Sequence, residues 1–192
     1  MLAAGMSRRL GRPKQLLDLG GKPLVVHVVE RATASELDRV AVVTGFAGDA
    51  VALALQGLDV AIVENPDFAE GQSTSLIAGL RSLPESCDAI VVLLSDQPMI
   101  GTAGIDALIA RRRDYGEPIV MTGYSVVRSH PILFGCELFA ELLQTRGDQG
   151  AREIIRAHAS DVAVIDSGEL TPPDDVDTED AYSRLLESWS RS

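Results

Sequence analysis

Short apolar runs alternate along this chain with stretches whose apolar residues recur at helical spacing. The runs Arg39–Thr44 (RVAVVT), Asp59–Val63 (DVAIV), Asp88–Leu94 (DAIVVLL), Pro118–Thr122 (PIVMT) and Asp161–Ile165 (DVAVI) are rich in β-branched residues and bounded by turn-formers. They read as strands, and Asp88–Leu94, the most apolar, reads as central. A shorter strand is predicted at Ile132–Phe134, and Leu2–Ala4 reads as the end of a buried one. Between them, Leu24, Val28 and Ala32 follow the helix-starting Pro23, and Leu76, Leu80 and Leu83 follow the hydroxyl cluster Ser73, Thr74, Ser75. Further helices are predicted over Ala47–Leu55, Ile105–Arg113, Glu137–Leu143 and Gln149–Ala157. A last one starts near Glu179, with Leu185, Leu186 and Trp189 as its buried face, after a polar, proline-containing stretch from Ser167 to Asp175.

Strands alternating with helices predict an α/β fold: a Rossmann-like three-layer sandwich, mainly parallel sheet with helices on both faces. Ligands in such sheets bind beyond the carboxyl ends of the strands. Gly5, Gly45 and Asp96 all fall just past predicted strand ends, so they should line one crevice.

At 192 residues, 46% of them hydrophobic, the chain suits one well-buried domain spanning 1–192. No apolar run reaches the roughly 18 residues of a membrane span and no signal-peptide core is seen, so a cytoplasmic protein is expected. The formal charge of −11 argues against nucleic acid and anionic membranes as partners. Cys87 and Cys136 are too few and too far apart for a zinc site or disulfide framework, and each is expected to be a small buried hydrophobe. His27, His130 and His158 form no metal-binding pair.

Against this acidic background the opening stretch, Leu2–Lys14 (LAAGMSRRLGRPK), stands out. Arg8, Arg9, Arg12, Lys14 and Lys22 face only Asp18 within the first 22 residues, and the chain has no other lysine. A small-residue loop with local positive charge suits a small anionic ligand, its backbone amides and cationic side chains closing on phosphate oxygens. The loop is not a P-loop, since five residues separate Gly5 from Gly11 and Lys14 lies three further on; nor is it GxGxxG. Only one residue precedes Leu2, so most of the strand expected before the loop is not in this sequence, and a start site set too far downstream or a trimmed chain is the expected reason.

The loop resembles the opening signature of the MobA-like nucleotidyltransferases, LAAGxSxRxGxxK, through Leu2, Ala3, Ala4, Gly5, Ser7, Arg9, Gly11 and Lys14. The likeness continues in Gln15–Leu16–Leu17, in Gly71–Leu76 against GxSxSL, and in Leu94–Pro98 against L(A/S)DQP. It extends to His130–Pro131 against GHP in part, to Gly147–Arg152 against GDxGAR, and to Asp175–Thr178 against DVDT. The branch resembled is that of the molybdenum cofactor cytidylyltransferases. The resemblance implies Mg²⁺-dependent transfer of CMP from CTP to the terminal phosphate of molybdopterin, with pyrophosphate leaving. The nucleotide half would be about 1–100 and the acceptor half about 101–192.

The resemblance also distributes roles. Asp96 would be the principal Mg²⁺ ligand, as a strand-end carboxylate beside phosphates suits a hard cation. Asp177 would be a second metal-side carboxylate, although Asp177 or Thr178 would equally serve as the N-cap of the last helix. Lys14 and Arg9 would neutralise the β- and γ-phosphates. Leu2, Ala3, Ala4, Gly5 and Ser7 would carry the nucleotide, with Arg8 and Arg12 turned to solvent. Gln72, Ser73 and Ser75 would read the base, with Thr44 and Gly45 weaker candidates, and helix capping is the competing role for the three. His130, Asp148 and Arg152 would face the acceptor, Arg152 binding the pterin's phosphate with backbone amides of its helix. A molybdenum hydroxylase is the partner such an enzyme would serve. The alternatives are a guanylyl- or sugar-phosphate nucleotidyltransferase, a non-catalytic cofactor chaperone, and, more distantly, a redox enzyme such as some relatives of this fold are. Two departures matter: Ser129 stands where the family has glycine before His130–Pro131, and Glu179–Asp180–Ala181 replaces PED.

Overall fold

A computed structural model describes residues 1–124, 127–168 and 175–190. Its strands are β1 (Leu2–Ala3), β2 (Asp18–Leu19), β3 (Lys22–Pro23), β4 (Ala41–Thr44), β5 (Ala61–Glu64), β6 (Ala89–Val92), β7 (Ile119–Tyr124), β8 (Val127–Gly135) and β9 (Val162–Asp166). Its α-helices are α1 (Leu24–Thr33), α2 (Gly48–Ala54), α3 (Gln72–Arg81), α4 (Thr102–Tyr115), α5 (Phe139–Leu142), α6 (Arg152–Ala157) and α7 (Glu179–Trp189). Of the polar stretch predicted at Ser167–Asp175, residues 169–174 lie outside the described residues.

β5, β4 and β1 pair in parallel, while β6, β8, β7 and β9 form a second group. The Leu2 amide donates to Leu93 O at 2.8 Å and the Ser95 amide to Leu2 O at 3.2 Å. This parallel contact of Leu2 with Leu94 joins the groups into one sheet, β5-β4-β1-β6-β8-β7-β9. The sheet is mainly parallel, as the alternation predicts, and β8 alone runs antiparallel to both neighbours.

Alternation along the strands builds a core on each face. Ile119 and Met121 of β7 pack with Ile132 and Phe134 of β8 against Leu76 and Leu80 of α3 and Leu142 of α5. The intervening Val120 and Leu133 turn the other way, onto Leu108 of α4. That is the period-2 alternation of a strand buried on both sides. On this second face α1 (Val25, Val28, Val29, Ala32), Val51 of α2 and Ile105 of α4 pack on Val42 and Leu93. The result is three layers.

β8 is longer than the strand predicted at Ile132–Phe134. It forms a hairpin with β7, and the register shifts between Met121 and Thr122: Met121 faces Ile132, but Thr122 faces Ser129. His130 and Pro131 are therefore extra residues at a bulge, which lets a proline, without an amide to donate, sit in an interior strand. Thr122 Oγ1 donates to Pro131 O at 3.1 Å. Ser129 takes no left-handed conformation, so the glycine it replaces is not missed for φ.

The hairpin β2–β3, turning on Gly20 (φ 62°) and Gly21 (φ 88°), is likewise absent from the sequence pattern, because two-residue strands are too short to show a period. It is the dock for α7. Leu17, Leu19 and Leu24 pack on Val176, Leu185 and Trp189, and Tyr182 Oη donates to Asp18 O at 2.5 Å. Docking α7 here carries the preceding Asp175–Thr178 back to the opening loop. The cysteines differ from expectation: Cys87 is half-buried and Cys136 exposed, because Cys136 begins a short 3-10 turn just after β8 leaves the sheet.

Candidate functional site

The loop after β1 is held in shape by its own side chains. Gln15, fully buried in the 3-10 turn Lys14–Leu16, donates from Nε2 to Ala3 O and Gly5 O, both at 2.9 Å. Ser7 sits at φ 50°, a conformation that costs a non-glycine residue roughly 1–2 kcal/mol, and its Oγ accepts the Lys14 amide at 2.9 Å. Among the described residues the amides of Gly5, Met6 and Ser7 find no acceptor in the chain. They are free to meet an anion.

Lys14 is the focal point. Its Nζ donates to Asp96 Oδ2 and to Asp177 Oδ1, each at 2.5 Å, with only 16% of the lysine side chain exposed. Burial opposes the lysine's charge, but the Asp96 and Asp177 carboxylates outweigh it and hold Lys14 above its ordinary pKa. Burial holds Asp96 above the usual carboxylate range, and the lysine offsets only part of that rise. Asp96 stands just past β6. Its carbonyl accepts the Val176 amide at 3.4 Å, and Gln97 Nε2 donates to Asp175 Oδ1 at 2.6 Å, pinning the C-terminal segment over the strand end. Thr178 caps α7, its Oγ1 accepting the Ala181 amide, which leaves Asp177 to Lys14.

These groups line a cleft of about 770 Å³ beyond the strand ends. Leu2, Ala4, Gly5, Ser7, Lys14, Gln72, Ser75, Asp96, His130, Asp148, Arg152 and Asp177 all face it, so most of the residues proposed from sequence meet in one place. Ala3 is buried in β1 beneath the loop. Ser73 is fully buried and lies outside the lining, its Oγ unpartnered among the described residues. Arg9, three-quarters exposed, also lies outside it, 3.7 Å from Asp177 Oδ2. Arg8, assigned to solvent by the sequence, lines the cleft. Arg12 is turned away, paired with Glu179 at 2.9 Å and stacked 5.7 Å over Tyr182.

Helix capping does not account for the α3 hydroxyls, since the N-cap is Gly71 and no side chain bonds there. Ser75 Oγ instead accepts from Asn65 Nδ2 at 3.0 Å, and Thr74 Oγ1 from the same nitrogen at 2.9 Å. Asn65 fixes the start of α3, a role the sequence reading did not assign. Gly71 (φ 121°) also abuts the 147–150 turn: a Cβ there would lie 2.4 Å from Gly147 C. His130, delivered by the β8 bulge, is neutral at pH 7, because burial lowers its pKa to about 4 despite Asp96, with Arg152 adding to the depression.

Two carboxylates converging on one cationic nitrogen make a donor set suited to a hard divalent ion. Such an ion takes one or two carboxylates and leaves its remaining positions to water and phosphate. Among the described residues no cluster of three or more His, Cys, Asp or Glu could hold a metal.

A loop of free amides, an anion-neutralising lysine and strand-end carboxylates in one crevice define a phosphate-handling α/β site. The chain belongs to the MobA-like NTP transferase domain family, whose model matches residues 1–162. It is 30% identical to the purine catabolism protein PucB of Bacillus subtilis over 98% of this chain and 95% of that protein. It is 31% identical to nicotine blue oxidoreductase of Paenarthrobacter nicotinovorans over 97% and 94%. The crystal structure of Rv0371c from Mycobacterium tuberculosis in complex with manganese superposes with a TM-score of 0.82, at 31% identity, over 97% of this chain and 96% of that one. No helix among the described residues is long and apolar enough to cross a membrane.

Proposed function

We propose that the protein is a Mg²⁺-dependent nucleotidyltransferase that moves CMP from CTP to the terminal phosphate of molybdopterin. The observation that carries this reading is Lys14 Nζ held 2.5 Å from both Asp96 and Asp177 in the cleft that the free amides of Gly5 to Ser7 also line. Asp96 and Asp177 would hold the metal, which when bound neutralises phosphate oxygens and orients them. Its presence in a homologous structure as manganese supports a divalent ion at such a site.

In this reading the loop amides and Lys14 hold the triphosphate, and Lys14 stabilises charge developing on the departing pyrophosphate. Gln72 and Ser75 stand at the start of α3, within reach of the base. An oxygen of the acceptor phosphate attacks the α-phosphorus in line. The new P–O bond forms as the bond to the β-phosphate oxygen breaks, pyrophosphate leaves with that electron pair, and no proton need move. Catalysis is positioning and charge neutralisation. The choice of CTP and of molybdopterin rests on the sequence segments Lys14–Leu17, Leu94–Pro98 and Gly147–Arg152. Incubation with labelled CTP, Mg²⁺ and molybdopterin should give labelled dinucleotide and pyrophosphate in equal amounts. Product with GTP alone would reassign the base, and no product with any nucleotide would overturn the reading.

A further inference from the structure

The far wall of the cleft carries arginines that no carboxylate among the described residues pairs with. Arg128 comes from β8, across from Gly123, and Arg152 and Arg156 come from α6. All three line the cavity together with His130 and Asp148. Residues four apart on a helix share a face, so Arg152 and Arg156 stand side by side, and like charges so placed repel. Among the described residues none of the three has a carboxylate within ion-pair distance, and Asp148 pairs with none of them. Arg9, Arg12, Arg111, Arg112 and Arg113 each have an acidic partner, whereas Arg39, Arg81 and Arg146, scattered over the surface, and Arg8, at the loop end of the same cavity, have none among the described residues; what sets Arg128, Arg152 and Arg156 apart is that they share one wall of the cleft. On a chain of net charge −11, three unpaired arginines on one cavity wall are a placement that an anionic ligand would relieve.

We propose that Arg128 and Arg156 join Arg152 in a subsite for a phosphate monoester, so that the acceptor is selected by its terminal phosphate and held there for attack. Guanidinium forks match phosphate oxygens in pairs, and two arginines from a helix with one from a strand approach the group from different sides. His130 lines the same cavity as a neutral imidazole, adding no competing charge and able to donate or accept a hydrogen bond. This inference rests on reading that end of the cleft as the acceptor end.

The test uses the full chain, with Mn²⁺ and a non-hydrolysable CTP analogue saturating the nucleotide end, and inorganic phosphate titrated by calorimetry. The same titration is run without nucleotide. Wild-type protein should bind phosphate saturably. The exposed pair substitution R128Q/R156Q should weaken that binding at least tenfold while leaving analogue affinity within twofold, and R156K alone should retain part of the binding. Equal phosphate affinity in wild type and double variant would overturn the subsite, as would a wild type that binds no phosphate. An equal loss of analogue affinity would also overturn it, assigning the arginines to the nucleotide. Because no turnover is measured, failure of CMP transfer and failure of this subsite are separate results.

Discussion

The two ends of the cleft handle charge in opposite ways. At the nucleotide end, Lys14 is spoken for by Asp96 and Asp177, Ser7 fixes its amide, and Gln15 holds the loop from beneath. At the end proposed for the acceptor, Arg128, Arg152 and Arg156 stand exposed without acidic partners among the described residues, and His130 is uncharged. One end is preorganised by its own ions, and the other waits for a ligand's. A buried lysine needs compensation before any substrate arrives, because an unpaired charge in low dielectric is costly; an exposed arginine does not, because water solvates it. The difference follows from burial.

Asp96→Asn should break the first end with the largest effect. Losing the buried carboxylate that Lys14 and a metal would share should lower CMP transfer by on the order of 10²–10³-fold. Pyrophosphate release measures this, and a thermal melt near that of wild type would assign the loss to chemistry.

Much of the first end was legible in the sequence; of the second, His130, Asp148 and Arg152 were, and Arg128 and Arg156 were not. The opening loop is local: Ala4, Gly5, Ser7 and Lys14 lie within a few residues of one another, so their pattern survives in one dimension. The strand alternation that places Asp96 at a strand end is equally local. The link from Lys14 to Asp177 spans 163 residues and exists because α7 docks on the β2–β3 hairpin, whose two-residue strands carry no period. Resemblance supplied Asp177 where pattern could not. β8 was half hidden because Arg128, Ser129 and Pro131 interrupt its apolar run, and the bulge that accommodates them is a tertiary event. Arg8 and Arg9 are adjacent, and nothing in their spacing says which one turns to the cleft.

His130 sharpens the second end through pH. Its pKa falls from an unfolded value of 6.5 to about 4, so between these values the unfolded chain binds a proton that the folded chain refuses. Its contribution is fully present above pH 6.5 and is lost as pH falls to about 4, by up to roughly 3 kcal/mol. Urea unfolding at pH 7.5 and pH 4.5 should show His130→Gln losing less stability on acidification than wild type. Equal losses would mean that His130 titrates normally.

Gly71→Ala attacks the seam between the ends. At φ 121° and with Gly147 C 2.4 Å from the added carbon, alanine must push α3 off the 147–150 turn. A stability loss of about 2 kcal/mol is expected from backbone strain alone. Weaker binding of both CTP and phosphate would indicate that the seam sets the geometry of both ends; weakening of one alone would show them to be independent.

Lys14→Met gives, in metal affinity, the smallest of the expected changes and the most direct reading of the comparison. If the nucleotide end is compensated internally, the lysine competes with any divalent ion for Asp96 and Asp177, since its Nζ already sits 2.5 Å from both. Removing it leaves two facing carboxylates without a cation, so the metal-free variant should melt below wild type. The same removal should tighten Mn²⁺ binding in the absence of nucleotide by on the order of tenfold, or about 1.4 kcal/mol. Saturating Mn²⁺ should therefore raise the melting temperature of the variant more than that of wild type. Free Mn²⁺ can be followed by its paramagnetic resonance signal. An affinity unchanged by the substitution would mean that the ion does not need the position Lys14 occupies, and the two ends would then differ in burial without differing in readiness.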